Sequence, residues 1–179
     1  MATSIRKKTR LPKPTPTVTP KVAKTKKPVV ADKLPPNPFV HEILERVSAA
    51  RGVVKKIQVL KEYRNDALTA VLIWNFDESV VSLVPTGEVP YEKNDVPIGT
   101  DHTSLRKEWK NLYHFLKGGN DTLSTIRRET MFIQMLEGLH PEEAEVFCLV
   151  KYKALSRKYN ITKGVVEEAY PDIKWGDRS

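Results

Sequence analysis

From Asn37 onward, apolar residues recur at intervals of three and four, the spacing that lines one face of an α-helix. Asn37-Pro38 reads as a cap followed by proline at the first helical position. Val40, Ile43, Leu44 and Val47 then form one stripe, and Arg51-Gly52 reads as the stop. Residues 53–63 predict a second helix with Val54, Ile57 and Leu60 on one face. Asn65-Asp66 restarts the pattern, and Ala67, Leu68, Val71, Leu72 and Trp74 make a third stripe.

The pattern then changes. Residues 80–84 read as a short strand or extended segment. Pro85, Gly87, Pro90, Pro97 and Gly99 mark a long loop that Val89, Tyr91 and Ile98 would anchor. Helical spacing returns at Thr103 or Ser104, with Leu105, Trp109, Leu112 and Leu116 on one face and Gly118-Gly119 as the end. Asn120 or Asp121 caps the next helix, to about Glu137. Its second half, residues 131–136, is apolar on nearly every side and predicts a central, buried helix. His140-Pro141-Glu142-Glu143 reads as another helix start, its acids set to complement the dipole or to face solvent. Ala144, Phe147, Cys148 and the stem of Lys151 would face inward, and a last short helix begins at Thr162 and stops before Pro171. The expected fold is mainly α: a compact helical domain over residues 37–179, without repeats, whose ~140 residues bury roughly two-thirds of their extended-chain surface.

Charge separates this domain from what precedes it. Residues 1–36 hold ten basic residues against one acid, Asp32, whereas the rest of the chain has 20 basic and 21 acidic residues. The basic segment also has seven of the 13 prolines, no aromatic residue and no glycine. Such a composition favours polyproline II and cannot offset its ordering entropy by burial. A disordered Lys/Pro-rich arm is expected, with a reach on the order of 110 Å if extended.

A cationic arm beside a polyanion releases counterions and binds without sequence preference. The candidate contacts are Arg6, Lys7, Lys8, Arg10, Lys13, Lys21, Lys24, Lys26 and Lys27, with DNA or RNA as the expected partner. An acidic membrane or an acidic protein are rivals, and a solubilising linker is the plainest alternative. A membrane role is disfavoured, because the arm has no apolar face and no lipidation signal. The longest nearly apolar run, residues 67–76, is about half of what a bilayer-spanning helix needs. No apolar segment follows the basic N-terminus, so a secretory signal is not expected.

Catalytic chemistry lacks its parts. Gly118-Gly119 has the spacing of neither nucleotide fingerprint. Cys148 sits on an apolar helical face as a packed thiol. His41, His102, His114 and His140 fall in different segments. Glu137 and His140 have ligand spacing, but Gly138 interrupts them, and His41 with Glu45 supplies only two ligands; no metal or cofactor is expected. An enzyme would need a site assembled from distant residues. Residues 154–170 scan as a helix-turn-helix, yet the second helix sets Glu167 and Glu168 against Lys163, which opposes groove entry. The cations of the preceding segment, Lys151, Lys153, Arg157 and Lys158, are better placed for backbone phosphates. Arg127-Arg128 would meet phosphate or the loop acids Glu88, Glu92 and Asp95.

Three stretches carry a resemblance: Asn65-Asp66-Ala67-Leu68 through Pro90-Tyr91, Arg127-Arg128-Glu129-Thr130 through Lys151, and Tyr170-Pro171-Asp172-Ile173-Lys174-Trp175-Gly176. Together they resemble a family of small proteins from large tailed phages of marine bacteria, cyanobacterial phages included. That resemblance implies expression in the host cytoplasm and a reduced Cys148, and it brings no activity with it. The helix order, ending in Val165-Val166-Glu167-Glu168-Ala169-Tyr170-Pro171, also resembles the helical N-terminal DNA-binding domain of phage ATP-dependent DNA ligases. No Lys-x-Asp-Gly motif occurs, so ligase activity is not implied. The expectation is a non-enzymatic phage accessory protein whose arm holds nucleic acid while the domain docks on a phage or host protein. The alternative is a structural or assembly adaptor of the virion.

Overall fold

The computed structural model describes residues 33–94, 96–97 and 102–178. Among them it forms α1 (Val40–Ala49), α2 (Val53–Glu62), α3 (Asp66–Phe76), α4 (Leu105–Glu108), a 3-10 segment (Trp109–Phe115), α5 (Thr125–Gly138), α6 (Pro141–Lys151), α7 (Leu155–Lys158) and α8 (Lys163–Ala169). The fold is mainly helical, as the spacing predicts. Arg6, Lys7, Lys8, Arg10, Lys13, Lys21, Lys24, Lys26 and Lys27 lie outside the described residues, as do the loop positions Asp95 and Ile98.

The helix α3 is the centre. Asn65 caps it, its side chain accepting from Leu68 N at 2.9 Å. The buried residues Ala67, Leu68, Val71, Leu72, Trp74 and Asn75 share one broad face, and Thr69, Ala70, Ile73 and Phe76 are half-buried. It packs against α6, α4 and the 3-10 segment. Trp74 meets Phe147 edge-on at 5.4 Å, and Phe132 stacks on Phe147 at 4.7 Å and meets Phe115 edge-on at 5.3 Å. These contacts join α3, α5, α6 and the 3-10 segment into one core. The expected central helix, α5, is instead amphipathic: Arg128, Phe132 and Leu136 are buried at four-residue spacing, while Met131, Ile133 and Met135 are only partly covered and Gln134 is exposed.

Several expected details shift. The first helix begins at Val40, not Pro38, because Phe39 is the cap and its backbone N–H donates to the Glu42 carboxylate at 2.7 Å. In α2 the inward face is Lys56, Ile57 and Leu60, and Val54 is 69% exposed. Buried Lys56 donates through Nζ to the carbonyl of Asn160. The helix expected over residues 105–116 is α only through Glu108. Beyond it the 3-10 winding brings Trp109, Leu112 and Phe115 into line at three-residue spacing. Leu116 then turns extended and pairs with Ser82. Leu83 N donates to Phe115 O at 2.8 Å and Lys117 N to Val81 O at 3.0 Å, so residues 80–84 are an extended tie rather than a strand. The fifth helix is capped by Ser124, not by Asn120 or Asp121.

The C-terminal third closes over the first hairpin. Ala50 N bonds back to Arg46 and Val47, and Gly52, at φ +87°, makes the turn into α2. Val165, Val166 and Ala169 of α8 pack against α2, and the buried Tyr170 hydroxyl donates to Leu60 O at 2.7 Å. Asp77, at the end of α3, holds the last described residues. It accepts from Ser79 N, Ser79 Oγ, Gly176 N and the Arg178 guanidinium, at 2.7–3.3 Å.

Candidate functional site

Three helices begin at one place. Glu143, in the first turn of α6, is completely buried, and its two carboxylate oxygens accept the backbone N–H of Val40 and of Leu105, each at 2.8 Å. The starts of α1 and α4 are thereby tied to the start of α6, and the electropositive ends of these helices converge on one negative group. Burial pushes this carboxyl above its ordinary range, against the two N–H bonds and Arg106, which pull it down. Of the two expectations for Glu142 and Glu143, dipole complement or a solvated face, the burial of Glu143 overturns the second for that residue. Its spacing explains the burial: Glu143, Phe147 and Val150 share one face of α6.

At or just before these helix starts stand three of the four histidines. Phe39, His41 and His140 stack on one another with ring centroids 5.3–5.6 Å apart, and His102 meets His140 edge-on at 5.5 Å. His41 is 4% exposed, and its Nε2 lies 2.7 Å from Glu142 Oε2. Burial lowers its pKa to about 4; Glu42 opposes the shift, while His140 and Lys158 reinforce it. The ring is thus neutral at pH 7 and donates an Nε2–H to the carboxylate. His140 caps α6, its Nδ1 accepting from Glu142 N at 3.4 Å. His102 Nε2 faces Val96 O at 2.6 Å. The Nδ1 atoms of His41 and His102 are both buried without a hydrogen-bond partner. One nitrogen of His41, one of His140 and an oxygen of Glu142 lie within 4.8 Å of one another, a set able to hold a metal ion. The sequence reading kept these histidines apart because they belong to different elements. Their one shared signal is that His41 and His140 both sit at helix starts.

The cations expected to meet phosphate are largely occupied. Lys151 is buried, donates to Gly87 O at 3.0 Å and lies over the Phe132 ring. Lys153 donates to Asp77 O at 2.7 Å, and Lys158 pairs with Glu145 at 2.6 Å. Arg128 is buried, its guanidinium donating to His114 O at 2.8 Å and Asn120 O at 2.9 Å, so it is committed to backbone carbonyls rather than to Glu88 or Glu92. Of that group Lys153, Arg157 and Lys158 are exposed. The helices α7 and α8 form where the helix-turn-helix reading put them, but Val165, Val166 and Ala169 commit α8 to packing on α2. Lys163 turns to Glu167 at 3.8 Å. Cys148 is half-buried rather than fully packed; burial pushes its thiol up, against Lys151 and Tyr91. Among the described residues no helix is long and apolar enough to cross a membrane.

The chain belongs to a family of unknown function, DUF6433, whose model matches residues 43–157. No curated protein matches it, and no solved structure does.

Proposed function

We propose, for this member of the DUF6433 family, a non-enzymatic accessory role in a tailed phage, in which the N-terminal arm holds nucleic acid and the helical domain is the docking body. The observation that carries the reading is the segregation of charge. Ten basic residues and one acid occupy residues 1–36, while the remainder is almost balanced. The fold adds support from the other side. Lys56, Arg128, Lys151, Lys153 and Lys158 each donate to a carbonyl or to Glu145, and residues 1–36 hold the densest run of cations in the chain. Binding of this kind comes from counterion release and carries no base readout. The resemblance to small tailed-phage proteins supports the phage setting and the host cytoplasm as the compartment.

The test is a salt titration of DNA and RNA binding by the full chain, beside a variant with glutamine at Arg6, Lys7, Lys8, Arg10, Lys13, Lys21, Lys24, Lys26 and Lys27. The expected result is binding that weakens steeply with salt, about 0.9 in log–log slope for each phosphate neutralised on duplex DNA. The variant should lose both the affinity and most of that slope. Equal binding by the two proteins would overturn the role given to the arm.

A further inference from the structure

We propose that His41, His140 and Glu142 form a binding site for one divalent transition-metal ion, of the kind that imidazole and carboxylate ligands hold together. Their candidate ligand atoms already lie within 4.8 Å of one another. A zinc ion draws such atoms to ~2.0–2.2 Å from itself, which sets tetrahedral ligands about 3.4 Å apart. Small side-chain movements therefore suffice. Two histidines and one carboxylate also suit zinc, manganese, iron or nickel better than calcium or magnesium, which favour oxygen.

Four features favour an ion here. First, His41 Nε2 already lies 2.7 Å from Glu142 Oε2, so two of the three ligands are brought together by the fold. Second, its polar capacity exceeds what the protein supplies, since Nδ1 is buried without a partner in a ring 4% exposed. The neighbouring His102 has the same orphaned Nδ1, with Nε2 committed to the Val96 carbonyl. Third, Glu42, Glu45, Glu142 and Glu145 gather on α1 and α6, close enough that burial and the other three carboxylates push Glu45 above its ordinary range, against Lys158 alone. A bound cation relieves that repulsion. Fourth, the ligands sit on rigid helix starts that Glu143 ties to one another, so the site is held by the core. Binding at Nε2 replaces the His41–Glu142 hydrogen bond, and the ring proton passes to the unpartnered Nδ1, so the imidazole stays neutral.

The experiment uses untagged full-length protein stripped with EDTA, then titrated with Zn²⁺ by calorimetry and with Co²⁺ by visible absorption. The expected outcome is one ion per chain, a rise in melting temperature on loading, and cobalt d–d bands without a thiolate charge-transfer band. Glu142→Gln, at a half-exposed side chain, should weaken Zn²⁺ binding at least tenfold. His140→Asn, which keeps a helix-capping side chain, should do the same, and Cys148→Ser should leave binding unchanged. Circular dichroism establishes that each variant is folded. Absence of stoichiometric Zn²⁺ binding by the folded wild type overturns the proposal. So does binding that survives both ligand substitutions, or binding that Cys148→Ser abolishes.

Discussion

The carboxylate of Glu143 accepts the backbone N–H of Val40, 103 positions earlier in the chain, at 2.8 Å. Its second oxygen does the same for Leu105, so one side chain fastens the first turns of α1 and α4 to that of α6. Substitution by alanine leaves two buried donors without acceptors. Each such loss costs about 1–3 kcal/mol, so Glu143→Ala should lower unfolding free energy by about 3 kcal/mol or more in urea titration. Glu143→Gln should lose less, because one amide oxygen still accepts while the amide nitrogen opposes the other N–H. A loss below about 1 kcal/mol for the alanine variant would show that the three helix starts hold together without this group.

The neighbouring His41 makes stability depend on pH in a defined window. Its folded pKa is lowered to about 4 by burial, with His140 and Lys158 acting in the same direction and Glu42 against them. In the unfolded chain the ring protonates near the ordinary histidine value of about 6.5. The unfolded state therefore binds the extra proton first as pH falls. The contribution is fully present above about pH 6.5 and is lost as pH drops toward 4, amounting to roughly 3 kcal/mol across that range. Metal-free protein should show this loss in chemical denaturation between pH 7 and 4, and His41→Gln should flatten it. A His41 ring resonance that titrates near pH 6.5 in NMR would contradict the buried, neutral state.

The adjacent pair Arg127-Arg128 should split sharply on substitution. Arg128 is buried and gives Nε–H and Nη2–H to the carbonyls of His114 and Asn120, so it clamps the end of the 3-10 segment to the first turns of α5. Arg127 is exposed. Arg128→Met keeps the apolar stem but removes both bonds, leaving Asn120 O with only its 3.4 Å bond from Leu123 N, and should cost about 2 kcal/mol. Arg127→Ala should stay within about 0.5 kcal/mol. Similar losses for both would mean that the clamp contributes nothing.

What the sequence made legible and what it hid follow one physical division. Stripes of apolar side chains were readable: Val40, Ile43, Leu44 and Val47 are all buried, and so are Ala67, Leu68, Val71, Leu72 and Trp74. Those positions depend on local period alone. The 3-10 winding after Glu108 was not readable, because a four-three-four spacing suits either helix until Leu116 is recruited to pair with Ser82. The role of Glu143 was hidden because its partners are backbone N–H groups, which any residue at those positions supplies. The histidine cluster was hidden because its members reach one another only once α1, α4 and α6 begin at the same point. A charged residue in register with Phe147 and Val150 was the available clue, and the dipole explanation absorbed it.

Asp77 supports the last prediction. The group is 1% exposed, and burial alone would raise its pKa; the bonds from Ser79, Gly176 and Arg178 prevail and hold it below the ordinary aspartate range. A lowered carboxylate pKa contributes stability that is present above about pH 3.8, its unfolded value, and is lost as pH falls through the folded value. Acid unfolding of the wild type should therefore include a step below pH 3.8 that Asp77→Asn removes. At neutral pH the same substitution leaves Gly176 N and the Arg178 guanidinium without their charged acceptor, and should cost about 2 kcal/mol. The loss should be felt first where those donors sit. Hydrogen exchange at residues 174–178 should rise in Asp77→Asn well before exchange in α3 does, since α3 is held by the core around Trp74. Uniform acceleration across α3 and the C-terminal segment would show that Asp77 supports the helix itself rather than the strap that closes over it.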